Sequence, residues 1–192
     1  MNYFLRAVAL SILGIFSSTL LQAQHKHSEA FEEGIILADF HSSIGMYKNR
    51  NFVTQRMPLF LGVDYGVSSV FSAGIFGGWN QRTFKDPKFP AYDVNYYFYG
   101  GRFSAHMTEY LRKNTVLKFN PRTVDIYATL WGGRQLAKQI SFTGGGYLDS
   151  GTTSIIGGFV GVRMYSMYRI GVLVEIGAGP YGIINVGICG KF

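Results

Sequence analysis

The sequence predicts an eight-stranded antiparallel β-barrel that crosses a membrane, and three observations lead there. Glycine supplies 25 of 192 residues, about 13% against a usual ~7%. Charged residues are only 15% while aromatics reach 16%. This balance excludes a long-helix protein, since glycine costs about 1 kcal/mol per helical position, and also a disordered chain, which would be rich in charge. The third observation is period-two alternation, repeated in runs of about ten residues, the length a tilted membrane-crossing strand needs.

The runs lie near 34–44, 58–68, 70–82, 94–107, 123–135, 154–165, 169–179 and 182–192. In the second, Leu59, Leu61, Val63, Tyr65 and Val67 share one face, opposite Gly62, Asp64 and Gly66. In the seventh, Ile170, Val172, Val174, Ile176 and Ala178 oppose Gly171, Glu175 and Gly177. The eighth sets Ile184, Val186, Ile188 and Phe192 against Asn185, Gly187, Cys189 and Lys191. In the first and fourth, Asp39 shares a face with His41, and Arg102 with His106. A soluble barrel turns its polar face to water and fills that face with charge. Here the polar parity is glycine-rich with isolated charges, which suits a narrow lumen where small residues make room for a few large polar ones. The apolar parity then faces lipid, with Tyr65, Trp79, Tyr97, Tyr99 and Phe192 as expected interface anchors.

Residues 1–24 read as a secretory leader. Arg6 is their sole charge, followed by the apolar run Ala7 to Phe16 and a small or polar end near Ala23 and Gln24. Cleavage there leaves one domain over 25–192 and lowers the net charge of +7 by one. With an even strand count, Ser68-Ser69, residues 165–168 and the segment 108–122 are expected on the periplasmic side with both termini. Loops at 45–57, 83–93, 136–153 and 179–182 are expected outside. The stretch Thr108 to Lys113 is expected to form one helical turn.

Several strand motifs resemble a known family. They are Tyr99-Gly100-Gly101-Arg102-Phe103-Ser104-Ala105-His106, Val124-Asp125-Ile126-Tyr127, Gly161-Val162-Arg163-Met164-Tyr165, Val174-Glu175-Ile176-Gly177, and the ending from Asn185-Val186-Gly187 to Lys191-Phe192. They are similar to small outer-membrane β-barrel, PorT-like proteins of Bacteroidota. The resemblance implies a bacterial outer-membrane location. Phe192 resembles the signal read by the barrel-assembly machinery, although Gly190 stands where a bulky residue is usual.

Candidate chemistry is sparse. Gly177-Ala178-Gly179-Pro180-Tyr181-Gly182 matches a dinucleotide fingerprint as a string, but that mechanism needs a helix after the glycines, and a strand follows. Asp149-Ser150-Gly151-Thr152 looks like an aspartic-protease loop without the second carboxylate that chemistry requires. Ser104 and His106, with Asp125 or Glu175, could form a hydrolytic relay if the base reached the nucleophile. His25, Lys26 and His27 are a weak metal signal, and the single Cys189 rules out an intrachain disulfide. No cofactor, metal or nucleic-acid partner is expected.

The expected function is therefore a non-enzymatic envelope barrel, serving integrity or surface interaction. The alternatives are a small channel or secretion-associated barrel, then a lipid-A-modifying enzyme. Asp39, His41, Asp64, Arg102, His106, Asp125, Arg163 and Glu175 are expected to fill the lumen as a polar network, with Glu175 the favoured partner of the arginines. The outer rim carries Lys48, Arg50, Arg56, Arg82, Lys85, Lys88, Arg134 and Lys138 against Asp86, Asp93 and Asp149. Of these, Arg50, Arg56, Arg82 and Lys85 are expected to contact phosphates of outer-membrane lipid and lipopolysaccharide.

Overall fold

The computed structural model describes residues 29–45, 52–86, 89–114, 120–141, 151–166, 169–179 and 181–192. The expected leader at 1–24, together with His25, Lys26, His27, Lys48, Arg50, Lys88, Asp149, Ser150 and Pro180, lies outside the described residues. Eight strands pair in chain order and close into a barrel. They are β1 (Ile36–Ile44), β2 (Phe52–Gly66), β3 (Phe71–Asp86), β4 (Phe89–His106), β5 (Val124–Ser141), β6 (Thr152–Ser166), β7 (Ile170–Gly179) and β8 (Gly182–Lys191). Every neighbouring pair is antiparallel, and β1 joins β8 through partners such as His41 and Gly187. Along the length that all eight strands share, closure leaves no free strand edge.

The alternation in sequence becomes an alternation in space, with its polarity inverted relative to a soluble barrel. Ile75, Leu130, Ile156, Ile170 and Ile176 point outward and are exposed, while Asp64, Asp125 and Arg163 point inward and are buried. An apolar outside and polar inside is the arrangement of a barrel that crosses a membrane.

Four strands run further than the sequence pattern suggests. The segment expected as a loop at 83–93 is mostly strand, and those at 45–57 and 136–153 are strand in part, because β2 starts at Phe52, β3 and β4 reach Asp86 and Phe89, and β5 continues to Ser141. Pairs such as Phe52 with Phe84 and Thr83 with Asp93 continue the ladder there. Where neither face is buried in a core or in lipid, nothing enforces apolar alternation, so these extensions leave no period-two signature. Bulges at Thr54 to Leu59 and near Asp86 accompany them.

The end that carries residues 29–35 and Phe192 is built differently. Ser68 Oγ accepts from the Phe71 and Val70 amides at 3.0 and 3.3 Å, closing the tight β2–β3 turn. The expected helical turn is α1 (Thr108–Asn114). On it Glu109 receives a bidentate pair from Arg112 at 2.7 and 2.9 Å and a contact from Lys113 at 3.1 Å. Hydrogen bonds from those two side chains hold the exposed Glu109 carboxyl down to about 2. Residues 29–35 fold back across this end, where Ala30 and Ile35 are fully buried. The Ala30 amide donates to the Pro121 carbonyl at 2.7 Å, and Gly34, at φ +82°, donates to Gly66 at 2.8 Å.

Large inward side chains lie over glycines. Arg102 occupies the space a Cβ on Gly62 would need, Phe98 that of Gly78, Trp131 that of Gly157, and Tyr127 that of Gly161. Gly78→Val is therefore expected to lower unfolding stability by about 1–3 kcal/mol, the usual cost of overpacking, read as a shift in urea midpoint. Because Glu109 titrates lower when folded, its pairing is complete above its ordinary value of 4.5 and is lost as pH falls through about 2. The helical signal of α1 should hold down to that point and drop in Glu109→Gln.

Candidate functional site

The inward charges converge at mid-barrel. Asp39 comes from β1, Asp64 from β2, Arg102 from β4, Asp125 from β5 and Arg163 from β6, all nine-tenths or more buried. Arg102 Nε donates to Asp64 Oδ1 at 2.5 Å, and its terminal nitrogens grip both oxygens of Asp39, one at 3.2 Å. Arg163 donates to Asp125 Oδ2 at 3.2 Å and to Asp64 Oδ2 at 3.5 Å, with Asp39 3.9 Å away. Its guanidinium also lies 4.0 Å from the centre of the Tyr127 ring. The planar fork of arginine suits such shared, bidentate pairing. His41 Nδ1 lies 3.0 Å from Asp39, and since a carboxylate only accepts, this nitrogen carries the proton.

Glu175 does not pair with either arginine, against expectation. Tyr127 donates its hydroxyl to Oε1 and Asn185 its amide to Oε2, each at 2.7 Å. Ser43 continues the chain to Asn185 at 2.5 Å. Three aspartates already surround the two guanidiniums, and β7 places Glu175 where a phenol and an amide satisfy it instead. Alternation marked the charged residues as inward, but which strands bring which charges together depends on stagger, and alternation does not encode that.

The hydrolytic candidate is also rearranged. Ser104 donates to Thr129 Oγ1 at 3.0 Å rather than meeting His106. It is Ser72 that lies 2.9 Å from His106 Nε2, while His106 Nδ1 meets Asp125 at 2.9 and 3.0 Å. The order serine, histidine, aspartate matches a nucleophile relay. Ser72, however, is fully buried. The Phe31 ring stacks on His106 at 3.4 Å, and Arg163 engages the same Asp125 carboxylate. With Oγ buried, the relay joins strands β3, β4 and β5 through side-chain hydrogen bonds. A hollow of about 410 Å³ outside it is lined by Phe31, His106, Val70 and α1 residues.

Two apolar layers bracket the charges. On one side Phe60, Phe76, Phe98, Trp131, Ile155, Phe159 and Tyr181 cluster. Towards the chain ends lie Ala30, Tyr165, Leu173 and Cys189, beside Phe31, Ile35 and Leu37. Cys189 is thus a small buried side chain. Lys191 is buried too, donating to the Glu29 carbonyl at 2.6 Å and the Arg122 carbonyl at 3.3 Å. No group of ligands suited to a metal occurs among the described residues. Gly177 to Gly182 spans the β7–β8 connection, where Gly179 pairs with Gly182, so a hairpin stands where a nucleotide site would need a helix. Thr152 opens β6.

The rim residues divide. Arg56 is exposed and lies over Trp79 at 5.7 Å, and Lys85 is exposed. Arg82 is turned inward, contrary to the expected lipid contact. It shares parity with buried Asn80 and sits over the rings of Tyr96 and Tyr181 at 5.5 and 5.8 Å. Phe192 keeps the outward parity and exchanges backbone hydrogen bonds with Ile36, both at 2.9 Å.

This fold and interior define a class: a closed eight-stranded antiparallel barrel, apolar outside and polar within. No family model matches the chain, and no curated protein is similar to it in sequence. Solved structures are similar in fold. OprG of Pseudomonas aeruginosa, an outer-membrane protein, aligns at a TM-score of 0.54 with 10% identity, over 84% of this chain and 97% of that one. The N-terminal β-barrel domain of Pseudomonas aeruginosa OprF aligns at 0.49 with 9% identity, over 84% and 98%. Ail, the attachment invasion locus protein of Yersinia pestis, aligns at 0.42 with 17% identity, over 83% and 99%. The likeness to OprG is one of fold alone.

Asp64→Asn is expected to cost about 3–5 kcal/mol, because it removes a carboxylate from two buried guanidiniums. Glu175→Gln, which leaves those pairs intact and turns an amide nitrogen towards one of the two donors, is expected to cost less, about 1.5–3 kcal/mol. Urea unfolding of the two variants side by side measures the difference, and equal losses would refute this assignment of partners.

Proposed function

We propose that the protein is a non-enzymatic barrel of the bacterial outer membrane, with both termini periplasmic and a lumen closed by its own side chains. Its role is in envelope integrity or surface interaction. The observation that carries this reading is the inverted polarity: an exposed band of Ile, Val, Leu and Phe surrounds a buried ionic core. All backbone groups of a closed barrel pair internally, which is what hydrocarbon requires. An interior of eight strands is just wide enough for side chains to fill, and the Asp39–Arg102–Asp64–Arg163 network with the aromatic layer beside it supports closure against solutes.

The reading of residues 1–24 as a secretory leader, from Arg6 and the apolar run to Phe16, supports this location. The outward parity of Phe192 suits recognition by the barrel-assembly machinery. The strand motifs around Arg102, Asp125, Arg163 and Glu175 support affiliation with PorT-like proteins. Tight connection at 67–70 and the longer strands at the opposite end support periplasmic termini. Contact with lipopolysaccharide phosphates is proposed for Arg50, Arg56 and Lys85, with Arg82 removed by its inward direction.

Folded protein in detergent should shift on a gel after boiling and should give no steady conductance in a planar bilayer. A soluble, detergent-free monomer would overturn the membrane reading, and a steady large conductance would overturn the closed lumen.

A further inference from the structure

Among the described strand residues, the outward basic side chains are confined to one wall. Among the described residues, Arg56 on β2, Lys85 on β3, and Arg134 and Lys138 on β5 are exposed at the end away from the chain ends. The outward faces of β6, β7, β8 and β1 carry none: β6 offers Thr152, Ser154 and Ile156 there, β7 Ile176 and Ala178, β8 Ile184, and β1 Ile44. Arg134 and Lys138 lie on the same face of β5, four residues and about 13 Å apart. Arg134 is steadied by a 3.1 Å bond to Ser154. Tyr97 and Tyr99 of β4 stand beside them, exposed. Trp79 donates to Asn95 at 3.1 Å with Arg56 over its ring. The carboxylate on this wall, Asp93, accepts from Thr83 at 2.5 Å.

Directly below Arg134 the wall dips. Gly101 and Gly132 are cross-strand neighbours, flanked in the same row by Ile75 and Ile156. A Cβ on either glycine would make only an ordinary van der Waals contact, with a backbone oxygen 3.7 or 3.8 Å away. The two flanking isoleucines are 70% and 80% exposed, so they stand as banks to a notch about one strand pair wide.

We infer that this wall seats one phosphorylated glycolipid of the outer leaflet, its two phosphates on Arg134 and Lys138 and an acyl chain in the notch at Gly101 and Gly132. The inference rests on the outer-membrane reading above. Charge complementarity selects an anionic headgroup, because guanidinium and ammonium groups face outward and, among the residues whose side chains are described, the carboxylate beside them is already bonded. Two cations this far apart match a sugar headgroup phosphorylated at both ends, whereas a single-phosphate phospholipid engages one of them. The notch below an arginine supplies the apolar half of an amphipathic partner.

The test uses the detergent-folded barrel titrated with bisphosphorylated lipid A, with monophosphorylated lipid A and with phosphatidylglycerol, read by native mass spectrometry. Wild type should hold one bisphosphorylated lipid and prefer it to the other two. The R134Q/K138Q variant should bind it about tenfold more weakly, a loss of about 1.4 kcal/mol, and Gly132→Leu should weaken it while keeping the heat-shifted gel band. Both charges are surface groups, so R134Q/K138Q decides the matter should the glycine variant misfold. Unchanged binding in R134Q/K138Q would overturn the seat while leaving the membrane reading intact. Equal binding of phosphatidylglycerol would overturn the glycolipid, and no lipid binding by wild type would overturn the seat together with the proposed lipopolysaccharide contact.

Discussion

One carboxylate shared by two guanidiniums fixes the interior. Asp64 accepts from Arg102 on one oxygen and from Arg163 on the other, so β2, β4 and β6 are tied through the lumen as well as around the wall. Asp39 and Asp125 extend the tie to β1 and β5. Buried charges of this kind add little net stability, but removing one partner is costly. Their effect here is on register. A slip of one residue in any of these strands would turn its charge to the outside and an isoleucine or valine inward.

The ionic core requires space, and glycine provides it. A barrel this narrow cannot place large residues at every inward position, so Tyr127, Phe98 and Trp131 each lie across a neighbouring strand's glycine, and Arg102 reaches past β3 to lie across Gly62 of β2. High glycine content and low charge, unusual in a soluble domain, are thus two aspects of one packing problem. Sparse charges are large and paired, and the residues around them are small.

Strand number, inward parity and the short α1 helix were legible because alternation and turn chemistry are local. The ends of β2 to β5 were not, since residues such as Thr83 and Asp93 pair outside the zone where polarity must alternate. Partner choice was also illegible. Asp125, His106 and Ser104 looked like a set by spacing, yet His106 meets Ser72 across the β3–β4 ladder while Ser104 turns to Thr129. Arg82 misled for another reason: its place near a rim suggested exposure, although its even parity on β3 directs it between two tyrosines.

Lys191 links the two ends of the fold. At the end of β8 it holds the carbonyl of Glu29, so the segment that closes the lower mouth is fastened by the strand that completes the wall. Until β8 seals against β1 there is no ammonium in place to hold that segment. The bonds from Ala30 to Pro121 and from Gly34 to Gly66 hold the same segment, so β8 contributes one fastening among several and, among the described residues, the only one that comes from the closing strand's side chain.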